Sequence, residues 1–311
     1  MSLSKPLFGR VALVAGATRG AGRGIAVELG AAGATVYCSG RSTKDSRSDM
    51  NRPETIDETA EWVSSAGGVG IAVKTDHTVP GEVEAIVNRI RLEQGRLDVL
   101  VNDVWGGEKL VQWGRPFWEL ELDNTFKLLE RAIHTHIITA RLATPLMLET
   151  GNALLLEITD GESGYYRGNF AYDLVKNAVI RMAKAMAADA SGRQFSPEGF
   201  GGGVPRAASL TVVALTPGFL RSEEMLEVMG VTEENWQDAK DRTFATHSES
   251  PRYIGRAVAA LAADESRARF NGQVLSSWRL MREYGFRDVD GRQPDWGAYF
   301  AATHAKDHPE L

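Results

Sequence analysis

Arg10-Val11-Ala12-Leu13-Val14-Ala15 runs directly into Gly16-Ala17-Thr18-Arg19-Gly20-Ala21-Gly22, and this join decides the fold. Apart from Arg10, the first six residues are apolar, the composition of a short strand covered on both faces. The glycines that follow are spaced GxxxGxG and lead into a run of small residues, 22–32, that reads as a helix. A strand, a glycine turn and a helix in that order aim backbone N–H groups from the positive end of the helix, where a pyrophosphate binds. Such a spacing is common by itself. Its place at the opening of a strand–helix–strand unit is what gives it weight.

Outward from this join, strands are expected at 35–39, 69–74, 97–101, 153–158 and 210–215, with a last one near 273–276. Helices are expected at 53–66, 79–94, 123–150, 172–190 and 253–263. In the second of these, Val83, Ile86, Val87 and Ile90 recur at the spacing of one helical face. The runs LDVLV, ALLLEI and LTVVAL are continuously apolar, as buried parallel strands are. Strand–helix alternation with right-handed crossovers gives an α/β chain: a Rossmann-like, doubly wound parallel sheet in a single domain, with its core over about residues 8–278. Two segments exceed that plan. Residues 191–208 form a Gly/Pro-rich insertion longer than a helix–strand connection needs, and residues 279–311 form a C-terminal extension.

Composition narrows the function classes. With 311 residues, 43% apolar and 24% charged, the chain is an ordinary globular one. A net charge of -6 gives no electrostatic reason to expect nucleic acid or an anionic membrane as partner. No apolar run approaches the ~20 residues needed to cross a bilayer, and MSLSKPLFGR has no cleavable apolar leader. A lone cysteine, Cys38, suits a reducing compartment, so a cytoplasmic location is expected. No set of His, Cys, Asp and Glu stands at metal spacing; no metal is expected.

The end of the second strand separates the two nicotinamide cofactors. An acid there would accept the adenosine ribose hydroxyls and repel a 2′-phosphate. The chain has Gly40 instead, then Arg41, Ser42, Thr43 and Lys44, with Arg19 supplied from the glycine loop. Guanidinium forks suit phosphate oxygens, so NADP(H) is expected in preference to NAD(H). Farther along, Tyr172 and Lys176 are four apart and share a helical face. A nearby cation favours the phenolate and brings a tyrosine toward useful proton exchange.

With these four landmarks in order (AGATRGAG at 15–22, Asp76 after the third strand, YxxxK at 172–176 and Pro217-Gly218 after the sixth) the chain resembles the short-chain dehydrogenase/reductase family over about residues 8–278. The resemblance implies an oxidoreductase acting on a small carbonyl or alcohol compound, with Tyr172 as general acid and base assisted by Lys176, which also binds the nicotinamide ribose. It implies that Gly16, Thr18, Arg19, Gly20, Ala21 and Gly22 cradle the phosphates, with Arg41 and Ser42 at the adenosine end. Asp76, with His77 beside it, would hold the adenine edge. Asn102, Asp103 and Val104 would line the middle of the cofactor, and Pro217, Gly218, Phe219, Leu220 and Ser222 the nicotinamide. A homo-oligomer, dimer or tetramer, is the expected assembly. The tail Glu283-Tyr284-Gly285-Phe286-Arg287-Asp288-Val289-Asp290-Gly291-Arg292 and the Phe117-Trp118-Glu119 stretch resemble one branch of these dehydrogenase/reductases.

Departures from the family pattern are equally specific. Asn102-Asp103-Val104-Trp105 replaces the usual Asn-Asn-Ala-Gly, Asp160 stands where the catalytic serine usually does, and the helical asparagine has no counterpart between Asn124 and Asn152. An ionised Asp160 cannot donate to a substrate oxygen. Three outcomes follow: Asp160 is protonated and donates, Thr159 or Ser163 supplies the hydroxyl, or the chain binds cofactor without efficient turnover in a sensing or partner-binding role. Trp105, Trp113, Phe117 and Trp118 are divided between packing and pocket lining, and Tyr165 and Tyr166 read as pocket wall. His134 and His136 read as core or interface residues, Glu157 and Glu162 as structural or solvated, and His304 and His308 as exposed.

Overall fold

Each apolar run found in the sequence becomes a parallel strand because its alternate residues meet a helical layer on either side. The computed structural model describes residues 5–162, 165–192 and 210–304. Among them, seven strands pair in the order β3-β2-β1-β4-β5-β6-β7: β1 Val11–Ala15, β2 Thr35–Gly40, β3 Val69–Lys74, β4 Val99–Asn102, β5 Ala153–Ile158, β6 Leu210–Thr216 and β7 Val274–Ser276. All six pairings are parallel. The sheet reverses its winding between β1 and β4, the crevice where ligands of such sheets bind.

One face of the sheet carries α1 (Gly20–Ala31), α2 (Ile56–Ser65) and α9 (Pro251–Ala263). There Ile25, Leu29, Val63, Ile254 and Val258 bury Val14, Val36, Val101 and Leu156. On the other face α3 (Pro80–Gln94), α5 (Thr135–Thr150) and α6 (Phe170–Ala190) place Ile86, Ile90, Met147 and Ile180 over Leu13, Leu100, Leu155 and Val212. Helices α1 and α9 cross almost backbone to backbone. A Cβ on Gly24 would stand 1.9 Å from the Pro251 carbonyl oxygen, and one on Gly255 would stand 2.4 Å from that of Gly24. Only glycine permits this crossing.

The sequence reading needs correction in the middle of the chain. Residues 123–150 are not one helix: α4 (Leu122–Leu129) gives way to a π-turn, Glu130–His134, before α5 begins. Within the wider turn Ala132 joins Ala171 and Val175 of α6 in one apolar cluster. Short helices α7 (Glu223–Met229) and α8 (Arg242–His247) follow β6. Beyond β7 the extension is ordered as α10 (Ser277–Tyr284) and α11 (Trp296–His304). Most of the 191–208 insertion lies outside the described residues.

The extension is clasped to the body. Ser250 donates to the buried Asp288 carboxylate from its backbone N–H at 2.8 Å and from its hydroxyl. Arg221, whose side chain is fully buried, reaches Glu233 at 2.9 Å and Asp290 at 3.4 Å and lies 4.1 Å from the centre of the Trp236 ring. Arg292 lies 4.3 Å from the centre of the same ring. The Asp288-Val289-Asp290-Gly291-Arg292 stretch is thus a set of docking contacts. His304, expected to be exposed, stacks on Phe300; His308 lies outside the described residues.

Candidate active site

The carboxyl ends of the strands open into one continuous cleft. Gly16, Thr18, Arg19, Gly20 and Ala21 line it after β1, Arg41 and Ser42 after β2, and Asp76 and His77 after β3. Asp103 and Val104 follow from β4, Thr159 and Asp160 from β5, and Pro217, Gly218, Phe219, Leu220 and Ser222 from β6. Tyr172 and Lys176 reach in from the first turns of α6. Asn169 caps this helix, its side chain accepting from the Ala171 and Tyr172 N–H groups, which fixes the turn that carries the tyrosine. Gly22 and Asn102 stand behind the wall instead. Asn102 is fully buried and its amide donates to Glu157 at 2.9 Å.

The glycine loop is tight. A Cβ on Gly16 would lie 2.3 Å from the Asp103 carbonyl oxygen, and one on Gly22 2.3 Å from that of Gly16. The N–H of Gly20, at the start of α1, donates to the Glu223 carboxylate at 2.8 Å. An anion is therefore already held where the helix end and loop would receive a phosphate oxygen. The loop fits a dinucleotide on that ground.

At the other end of the cleft, the Tyr172 hydroxyl donates to Asp160 Oδ2 at 2.7 Å. The Tyr172 ring sits against Trp105 and Trp113, with centroids 5.4 and 5.2 Å away. Burial, and then the Asp160 charge and hydrogen bond, push the phenol well above its ordinary range. Lys176 Nζ lies 4.3 Å from the Trp105 ring centre and 5.4 Å from that of Tyr172. Burial pulls its ammonium down, opposed by Asp160 and Asp103. Asp103 is itself pushed up to about 7 by burial, against the pull of Lys176, His136 and the Gly22 N–H.

The remaining residues divide by partner. The Thr159 hydroxyl donates to the Lys176 carbonyl oxygen at 2.9 Å, so it is committed to the backbone of α6; Ser163 lies outside the described residues. Arg167, which the sequence did not single out, grips the Asp160 carbonyl oxygen at 2.6 Å and Asp173 at 3.0 Å. His77 faces inward, bonded to Ser39 at 2.9 Å and Thr139 at 2.8 Å, and burial pulls its imidazole down to about 4. Although burial raises it, the Asp76 carboxyl is held below its usual range by Thr78 and by the charges of Arg41 and His77. Ser222 caps α7. Arg19 pairs with Glu108 at 2.7 Å and Arg41 with Asp49 at 2.8 Å. His136 is a core residue, bonded to the buried Glu157 at 2.5 Å.

Trp105 and Tyr165 are cleft walls, whereas Phe117, Trp118 and Tyr166 are exposed. Trp296 of α11 closes the cleft beside Pro217 and Gly218, packed on Phe219, while Phe300 packs on Tyr165. No local pattern marks Trp296; it enters the site only because the tail folds back. Among the described residues no group of His, Cys, Asp and Glu could hold a metal, and no helix is long and apolar enough to cross a membrane.

The profile of the short chain dehydrogenase family matches residues 10–196. The chain belongs to that family. It is 31% identical over 292 residues to mouse (Mus musculus) dehydrogenase/reductase SDR family member 1, covering 92% of this chain and 85% of that protein. The human (Homo sapiens) protein of the same name is 31% identical over 296 residues, 93% and 86% of the two chains. Among solved structures, a short chain dehydrogenase from Mycobacterium thermoresistibile superposes with a TM-score of 0.72 at 18% identity over 94% of this chain and 92% of that one. A short-chain type dehydrogenase/reductase from Mycobacterium ulcerans gives 0.67 at 20% identity over 97% of each. The expected α/β fold and the family are both borne out, and the chain is an oxidoreductase of the short-chain dehydrogenase/reductase type. Members of the family bind NAD(P)(H) and act on small molecules.

Proposed function

We propose that this chain is an NADP(H)-dependent oxidoreductase that interconverts a small carbonyl compound and its alcohol, with Tyr172 as general acid and base. The observation that carries the reading is the meeting, in one cleft, of the glycine loop at one end and the Tyr172–Asp160–Lys176 cluster at the other. Bound NADP(H) would supply or accept the hydride. Tyr172, kept as a phenol by burial and by Asp160, holds the proton that a carbonyl oxygen needs as it becomes an alkoxide. The Lys176 side chain lies beside the ring, where an ammonium would favour the phenolate left after transfer. Asp160, in the place of the family's usual serine, orients the phenol by accepting its hydrogen bond. The Thr159 hydroxyl is tied to α6, which supports Asp160 over Thr159 as the third member of the cluster.

Preference for NADP(H) over NAD(H) rests on Gly40-Arg41-Ser42 at the end of β2, where an acid would otherwise select NAD(H). Asp76, close enough to Arg41 for the charges to interact, marks the adenine edge. A homo-oligomer accords with the apolar groove between α5 and α6, lined by Ile137, Leu148, Met182 and Met186, and the single buried Cys38 accords with a cytoplasmic location. The test is NADPH oxidation over a panel of aldehydes and ketones, with NADP+ reduction over the matching alcohols. Turnover that Tyr172→Phe lowers at least ~10²-fold while leaving NADPH affinity within about twofold is the expected result. Unchanged turnover in that variant refutes the assignment.

A further inference from the structure

Arg41 does not face the cleft alone. Its Nη2 contacts Asp49 Oδ1 at 2.8 Å, and the second oxygen of the same carboxylate is taken by Arg131 Nη2. Arg131 comes from the π-turn between α4 and α5, and its Nη1 donates to the Gly106 carbonyl oxygen at 2.9 Å, which fixes the guanidinium plane. Both arginines line the cofactor cleft, as do Ser42 and Ser48, whose hydroxyls hydrogen-bond to each other at 3.0 Å. Two guanidinium groups therefore converge on one anionic position next to the end of β2.

We propose that the Asp49 carboxylate occupies the place of the cofactor's 2′-phosphate, so that Arg131 joins Arg41 as a phosphate-binding residue and Asp49 is an internal competitor which that phosphate displaces. This rests on the NADP(H) reading above. Charge favours the exchange: two cations on one carboxylate leave a positive excess, whereas a phosphate monoester brings a charge of about −1.5 to −2 and three acceptor oxygens. Exposure fits it as well. The Arg131 side chain is 11% exposed and anchored at Gly106, while Asp49 is 50% exposed and sits in the irregular connection from β2 to α2. Arg131 is fixed, and the carboxylate is the replaceable partner. An independent parallel lies at the glycine loop, where Glu223 holds the Gly20 N–H at 2.8 Å. Both anion positions of the cleft are filled by carboxylates of the chain itself.

The test is binding of NADPH, NADH, 2′,5′-ADP and 5′-AMP to the apoprotein by isothermal titration calorimetry. Asp49→Asn should tighten NADPH and 2′,5′-ADP about tenfold, the scale of one charge-assisted hydrogen bond, and leave NADH and 5′-AMP unchanged. Arg131→Gln should weaken the first pair by about tenfold or more and spare the second. Variants that shift both pairs alike, or neither, overturn the proposal. A wild type that prefers NADPH while both variants are neutral refutes only the roles of Asp49 and Arg131. A wild type without preference refutes the NADP(H) reading; a preference then gained by Asp49→Asn still supports the competitor role, and one not gained refutes it too.

Discussion

Replacing Asp103 by Asn removes a charge that folding has to bury. The carboxyl is half-buried in the cleft wall against the glycine loop, and desolvation there moves it from 3.8 to about 7. Because the folded value lies above the unfolded one, the native state holds this proton more tightly than the unfolded chain. Stability from this group is then full below about pH 4, falls as the pH rises toward 7, and is level above that. A difference of this size corresponds to about 4 kcal/mol over the whole range, of which about 2–3 kcal/mol falls between pH 5 and 8. Asparagine keeps an acceptor for the Gly22 N–H and does not titrate. Asp103→Asn should therefore gain on wild type by about 2–3 kcal/mol between pH 5 and pH 8. Urea unfolding of the apoprotein, followed by tryptophan fluorescence at pH 5, 6, 7 and 8, reads the difference directly. Parallel curves for the two proteins, within about 0.5 kcal/mol, would refute the reasoning.

His77 gives the opposite slope. Its imidazole is pulled from 6.5 to about 4 by burial, so its stability is present above pH 6.5 and lost as the pH falls toward 4. Wild type should lose about 3 kcal/mol more than His77→Gln between pH 7 and 4, and equal losses in acid unfolding curves would exclude that role. Arg221→Met should cost about 3–5 kcal/mol, since it strands the buried Asp288 carboxylate and its neighbours. Limited proteolysis should then cleave within residues 285–304; a variant as protease-resistant as wild type would show that the tail is held by other means.

The fold was legible because its signals are local. Apolar runs, the i, i+3, i+4, i+7 spacing of α3 and the glycine turn each lie within one short window, and all seven described strands lie within two residues of the expected ends. Position 123–150 misled because apolar spacing continues through the π-turn, whose extra residue per turn leaves no composition signal. The cleft was legible where it follows strand ends and the first turns of α6. Asp49, Arg131, Glu223 and Trp296 were not, since each meets its partner across a long stretch of chain. Asp288-Val289-Asp290-Gly291-Arg292 stood out as a pattern, yet its contacts with Ser250, Ser248 and Arg221 exist only in three dimensions.

The glycine crossing of α1 and α9 also orders events at the ribosome. Gly255 is made some 230 residues after its partner Gly24. At about 5–20 residues per second, the apolar face of α1 waits more than ten seconds for its cover. During that interval Ile25 and Leu29 have only α2 and the growing sheet to shelter them. Nascent chains stalled before residue 251 should accordingly be held by chaperones through this first helix, and release should follow the emergence of α9.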